Sequence, residues 1–189
     1  MSDSSRPGRV PAGATPDGDG VLVGEGRVRV DAFIDFLCPF CQRFELASES
    51  VLAELLREGL IALAYHPMNF LDEASTTAYS TRAAAASGCA ADQDRFLAYA
   101  HELFVSQPAE GGPGLSDDEL IRLASPAGLD ETAFAASVTD GTYLDWPPYV
   151  TARALAAGVE ATPTVLVAGV SVTADARTIA AAVEKARPA

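Results

Sequence analysis

Hydrophobic and polar positions alternate first between Arg27 and Phe36. Val28, Val30, Ala32, Ile34 and Phe36 are apolar, whereas Arg27, Arg29, Asp31 and Asp35 are charged, with Phe33 between them. Period two is the signature of a strand with one buried face. The period then changes. Cys41, Phe44, Ser48, Val51, Leu52 and Leu55 recur at three- and four-residue steps, which predicts a helix from about Cys38 to Gly59. A second apolar run, Leu60 to His66, ends at Pro67 and reads as another strand. Strand, helix and strand at this spacing imply a right-handed crossover and parallel pairing.

From about Ala74 to Gly158 the strand signal vanishes. Ser75 to Ser87 is Ala-rich, and Asp92 to Ser106 places Phe96, Tyr99, Leu103 and Phe104 on one stripe. Ser116-Asp117-Asp118-Glu119 forms a capping box ahead of Leu120, Ile121 and Leu123. Glu131 to Val138 predicts a short helix, and Pro147-Pro148 starts another that runs to Ala157. Strands return at Thr164–Val167 and Val170–Val172, joined by Ala168-Gly169 as a hairpin. Asp175 to Arg187 closes the chain as a helix. The fold class is therefore α/β: a central mixed sheet with βαβ and ββα halves, interrupted by an all-helical insertion. The division is a sheet-bearing domain over 25–73 and 159–189, with an insertion over 74–158. Residues 1–24, rich in Gly, Pro, Ser and Asp, are expected to be a disordered tail, because such a stretch cannot offset its ordering entropy by burial.

Composition narrows the partners. The 189 residues carry 26 acids against 13 bases, a net charge of −13. A basic footprint for nucleic acid is missing, and the charge weakens approach to anionic lipid. The tail has no apolar run long enough for a signal peptide or membrane helix. As written, the chain is expected in the cytoplasm. If an export signal or anchor has been cut away, the tail becomes the linker of an extracytoplasmic, membrane-tethered domain.

The chemistry centres on Cys38-Pro39-Phe40-Cys41, at the junction of the first strand and helix. Two thiols at this spacing can close a small disulfide ring or trade electrons with another disulfide. Pro39 suits the first helical position, where its missing N–H costs nothing. Free backbone N–H groups and the positive end of the helix dipole favour a thiolate on Cys38. Cys38 is the expected nucleophile and Cys41 the resolving thiol. Half of a zinc site is the competing reading, but Cys89, His66 and His101 form no second paired ligand set. A static structural disulfide closes almost no loop and constrains the unfolded chain little. Cys89 reads as a buried, inert thiol, His66 as a satisfied structural histidine, and Trp146 and Tyr149 as core or cap residues. Phe36, Leu37 and Phe40 are candidates for an apolar patch that takes an unfolded chain. Asp35 is a candidate proton acceptor. Its strand parity points it to the other face, so a solvated or hydrogen-bonded strand-end aspartate is the plainer reading.

The chain resembles the DsbA-like branch of the thioredoxin superfamily. The resemblance rests on Asp35-Phe36-Leu37-Cys38-Pro39-Phe40-Cys41 with Phe44-Glu45, on Pro67 to Leu71, on Cys89-Ala90 and Phe96 to Phe104, and on Gly158-Val159 with Ala161-Thr162-Pro163-Thr164. It implies a cis Pro163 lying against the active cysteines, with the backbone at Thr162 gripping a substrate. It implies a thiol–disulfide oxidoreductase that needs no cofactor and no metal. Its expected partners are unfolded or cysteine-containing proteins and peptides, together with a redox protein that recycles the disulfide; a monomer is expected. Two departures matter. The buried acid that many relatives carry six residues before the first cysteine is Ala32 here, and the histidine of the strongest oxidants before the second cysteine is Phe40. A less stabilised thiolate implies a milder oxidant. A cytosolic reductase, a glutathione-handling transferase or isomerase, and a non-enzymatic peptide-binding or chaperone module remain open as alternatives.

Overall fold

The computed structural model describes residues 6–187. Its sheet has five strands in the order β1-β3-β2-β4-β5: β1 (Val21–Val23), β2 (Val28–Ile34), β3 (Ile61–Pro67), β4 (Thr164–Val167) and β5 (Val170–Val172). β2 and β3 pair in parallel, from Val28 opposite Ile61 to Ile34 opposite Pro67. β1, β4 and β5 join antiparallel to their neighbours, which makes the sheet mixed. Helix α1 (Pro39–Arg57) provides the crossover between β2 and β3. Its buried side chains include Cys41, Phe44, Ser48 and Leu52, the stripe expected from the spacing.

Between β3 and β4 lie a 3-10 turn (Asp72–Ala74) and helices α2 (Tyr79–Ala91), α3 (Phe96–Val105), α4 (Asp117–Arg122), α5 (Glu131–Thr139) and α6 (Trp146–Ala156); α7 (Ala176–Ala186) follows the hairpin. Two of the helices start four residues later than the apolar pattern suggested. Ser75 is used as a cap, its Oγ accepting the Tyr79 N–H at 2.8 Å. The Asp72 carboxylate accepts the Thr81 N–H at 2.8 Å, and Asp92 is likewise taken up beyond the end of α2 by the Ala12 N–H at 2.9 Å. Polar side chains hold these turns in place of helical backbone bonds. The capping box at Ser116 and Glu119 is formed on both sides. One apolar core runs from the sheet through α1 and α7 into α2, α3 and α6.

The expectation of a disordered tail over 1–24 needs correction for residues 6–24; residues 1–5 lie outside the described part. β1 is an edge strand of the sheet, with Val21 and Thr15 buried. The preceding loop is held by groups distant in sequence. Trp146 Nε1 donates to Gly18 O at 2.8 Å, and Tyr149 Oη donates to Asp17 O at 2.8 Å. His66, buried and stacked on Phe33 with ring centroids 4.2 Å apart, places Nδ1 2.7 Å from Asp19 O and Nε2 3.0 Å from Asp31 Oδ1. Arg153 sits 3.2 Å from Asp17 Oδ2. The segment therefore straps α6 to β3. Its Gly and Pro content hid this, because the ordering comes from partners outside the segment and not from its own periodicity. Trp146 and Tyr149 are thus buried residues with polar handles on the strap.

Gly20 makes the closest approach in this strap. A Cβ there would stand 2.6 Å from Tyr65 O and 2.8 Å from His66 Nδ1. Gly20→Ala is expected to lower unfolding free energy by about 1–3 kcal/mol, the usual range for overpacking, read from the urea midpoint at unchanged slope. An unshifted midpoint would show that the strap does not stabilise the fold.

Candidate active site

β2 ends at Ile34, and the chain turns sharply before α1 begins. The turn is fixed by the Cys38 N–H donating to Asp35 O at 3.0 Å and by the Leu37 N–H donating to Asp35 Oδ1 at 2.8 Å. Gln107, beyond α3, clamps it from outside: its Nε2 donates to Phe36 O at 2.8 Å and to Cys38 O at 3.1 Å. Gln42 Nε2 donates to Phe104 O at 2.7 Å. The insertion and the active-site turn are thus tied by side-chain amides.

Cys38 is the N-cap residue of α1, with Pro39 at the first helical position. Cys38 and Cys41 sit 3.6 Å apart as free thiols. Cys38 Sγ is 3.3 Å from Thr162 O, and the Thr162–Pro163 peptide bond is cis. The sheet explains this meeting: β4 runs antiparallel beside β2, with Thr164 opposite Phe33, so the residues just before β4 lie beside the residues just after β2. The two sulfurs are electrostatically unlike. The hydrogen bond from Cys41 holds the Cys38 thiol down to about 6 against partial burial, helped by Thr162 and the backbone N–H groups of Cys41 and Phe40. Burial, with the bond to Cys38 and the Cys38 charge, pushes Cys41 well above the ordinary thiol range. The Asp35 N–H lies 3.5 Å from Cys41 Sγ. This arrangement supplies one thiolate at neutral pH and one protonated partner beside it.

The remaining candidate residues differ in burial. Pro39 and Phe40 are exposed, Phe40 at 63%, with the Arg43 guanidinium 4.4 Å over its ring. Phe36 and Leu37 are not part of an exposed patch; both are fully buried, Phe36 against Phe104 at 5.0 Å. The turn after Ile34 breaks the strand alternation and folds both side chains inward beneath the insertion. The exposed apolar residues next to the site are Phe40 itself, Phe70, which precedes Leu71, and Val105, which follows Phe104. Asp35 is not solvated. It is fully buried, and its carboxylate accepts bonds from Leu37 N, Leu71 N and Ser80 Oγ. Parity placed it on the second face of the strand, and that face is covered by the insertion. Glu45, one helical turn after Cys41, is another buried acid; burial pushes it up, and it accepts from Tyr65 Oη at 2.8 Å. The stripe read from the sequence omits it; its spacing four residues after Cys41 and three before Ser48 is the signal that places it there, whereas its pairing with β3 has no local signal. Cys89 is buried, and burial pushes its thiol up to about 12, so it is no ready nucleophile.

A family model described as Thioredoxin matches residues 19–185. The oxidised DsbA of Mycobacterium tuberculosis superposes with a TM-score of 0.72 at 34% identity, over 82% of this chain and 85% of that one. The reduced disulfide bond oxidoreductase DsbG of Mycobacterium tuberculosis gives 0.73 at 34% identity, over 85% of this chain and 82% of that one. The serine/threonine-protein kinase PknE of Mycobacterium tuberculosis is 37% identical over 126 residues, 62% of this chain. The chain spans 22% of the length of that curated relative.

A Cys38 thiol near 6 lies between the values of about 7 in thioredoxin and about 3.5 in DsbA. The reduction potential is expected to lie likewise between about −270 and about −120 mV. Equilibration with glutathione measures it; a value at or above about −120 mV would contradict the thiolate stabilisation described here.

Proposed function

Because the chain belongs to the thioredoxin family and, within it, to the DsbA-like thiol–disulfide oxidoreductases, we propose that it oxidises cysteine pairs in protein or peptide substrates outside the cytoplasm. The observation that carries this is the asymmetry of the two sulfurs at the amino end of α1. A stabilised Cys38 thiolate lowers the free energy of the reduced form, which makes the disulfide form an electron acceptor. Donating disulfides is productive only in an oxidising compartment. Among the described residues no helix is long and apolar enough to cross a membrane.

In the reaction, a substrate thiolate attacks Cys38 Sγ of the Cys38–Cys41 disulfide, and Cys41 leaves as the thiol after taking a proton. The second substrate thiolate then attacks the substrate sulfur of the mixed disulfide and releases Cys38 as a thiolate. Two electrons pass to the enzyme, and a separate redox protein removes them. The Thr162 carbonyl, 3.3 Å from Cys38 Sγ, accepts a backbone N–H of the substrate in this reading, with Pro163 beside it; their closeness to Cys38 supports it. Phe40 and its stacked Arg43 offer an apolar and cationic platform for substrate side chains.

Cys41→Ser is expected to accumulate mixed disulfides through Cys38, seen as non-reducing gel shifts that Cys38→Ala abolishes. Trapping that survived Cys38→Ala would sink the assignment of the nucleophile. Phe40→Ser is expected to lower kcat/KM for a dithiol peptide about three- to tenfold, the size of about 1 kcal/mol of lost apolar contact, with little change in unfolding midpoint. Unchanged peptide kinetics would remove Phe40 from the substrate surface.

A further inference from the structure

Arginines at three helix ends of this chain follow one pattern. Arg57, Arg122 and Arg187 each pair with the acid three residues earlier, Glu54, Glu119 and Glu184. An acid at that spacing lies on the same helix face and takes up the guanidinium. Arg43, near the start of α1, breaks the pattern. The residue three positions earlier is Phe40, and its other helical neighbours, Pro39, Leu46 and Ala47, carry no charge. The guanidinium carbon lies over the Phe40 ring, 4.4 Å from its centroid. Among the described residues Arg43 forms no ion pair. In a chain with 26 acids against 13 bases, the arginine beside the redox cysteines is held by an aromatic ring and not by a carboxylate.

That difference decides which part of the guanidinium is available. Attraction to a ring uses the guanidinium's face. Its N–H donors lie in the plane and point outward from the edge, where a carboxylate takes two of them in parallel. Phe40 and Arg43 are both exposed, so ring and edge meet solvent together. The cation is not spent on the sulfur. The Cys41 hydrogen bond, then Thr162 and the backbone N–H groups of Cys41 and Phe40, hold the Cys38 thiol down. Nor is it spent on Glu45, the acid nearest to it in sequence, which is buried and bonded to Tyr65 Oη.

We propose that Arg43, held in place by Phe40, is a specificity-determining residue that selects substrate segments carrying an Asp or Glu about two residues from the reactive cysteine. The inference rests on the thiol–disulfide reading above and names the substrate class of that site. The spacing follows from geometry. Cys38 caps α1, and Arg43 lies about 7.5 Å further along the axis at about 1.5 Å per residue. An extended chain covers that distance in about two residues, at about 3.3 Å each. The exchange itself is unaltered: the substrate thiolate attacks Cys38 Sγ, the bond to Cys41 breaks, and Cys41 leaves as the thiol after taking a proton. Arg43 acts on the binding of the chain that brings the thiolate. A carboxylate close to a thiol opposes its ionisation, and a net charge of −13 repels acidic chains. A guanidinium at the point of arrival offsets both, which admits acid-flanked cysteines that the rest of the surface disfavours.

The test uses two dithiol peptide isomers of equal charge, one with Glu about two residues from the attacking cysteine and one with Glu about six residues away, beyond the reach of Arg43. Repulsion by the net charge is the same for both, and comparing variants cancels the intrinsic reactivity of each thiol. The near-to-far ratio of kcat/KM is expected to be about two- to fivefold higher in the parent protein than in Arg43→Gln, the range of an exposed ion pair, with the difference carried by KM. Arg43→Glu is expected to lower the ratio further and to favour the near isomer when Lys replaces Glu in the peptides. Arg43 is exposed, so both variants are expected to fold. Equal ratios in the parent and Arg43→Gln would overturn the inference. So would an equal loss on both isomers together with a shifted pH midpoint of Cys38 alkylation, because Arg43 would then act through the sulfur. If the parent protein exchanged disulfides with neither isomer, the reading on which the inference rests would fail instead.

Discussion

A negative charge on the Cys38 sulfur, held at the amino end of α1, is the constraint around which this site is built. Helical N–H groups alone would offer partial compensation. Here the Cys41 thiol donates directly to the sulfur, Thr162 comes in from the neighbouring strand end, and Gln107 fixes the turn that aims it. Each contributor sits on a different part of the chain. The sulfur is therefore only as well placed as the junction between β2, β4 and the insertion, and burying Phe36 and Leu37 in that junction keeps it rigid.

The insertion and the strap have one purpose in common. The insertion covers the second face of β2 and converts a strand-end aspartate into a buried ionisable group. The strap, through Asp17, Gly18 and Asp19, fastens α6 against β3 by way of Trp146, Tyr149 and His66. Beside that fastening, the insertion is held to the rest of the fold by the apolar core, by the Gln42, Ser80 and Gln107 hydrogen bonds, and by the loop at Asn69, where the Thr151 Oγ1 accepts the Asn69 N–H at 2.8 Å.

The order of elements and the redox pair were legible because both depend on short-range regularities. Period two in β2, the three- and four-residue steps of α1 and the Ser116 capping box each follow from neighbours in sequence. Thr162-Pro163 was reached through a resemblance, since nothing local in that dipeptide tells of a thiol more than a hundred residues earlier. The failures share a cause. Asp35, Phe36 and Leu37 sit where a strand has ended and parity no longer applies, and their burial is decided by helices that arrive later in the chain. Residues 6–24 have no periodicity to read; their order comes from a tryptophan, a tyrosine, a histidine and an arginine contributed from elsewhere.

The asymmetry of the two thiols also explains how a buried Cys41 can resolve a mixed disulfide at all. Of the influences that suppress its ionisation, burial is permanent, but the hydrogen bond to Cys38 and the Cys38 charge exist only while Cys38 is an anion. When Cys38 is bonded to a substrate sulfur, both disappear. The Asp35 N–H and the Thr162 side chain, which favour the Cys41 thiolate, remain in place. Cys41 therefore becomes a better nucleophile only once there is a disulfide for it to attack. The same sulfur charge that makes Cys38 reactive keeps its partner quiet until that charge has been spent.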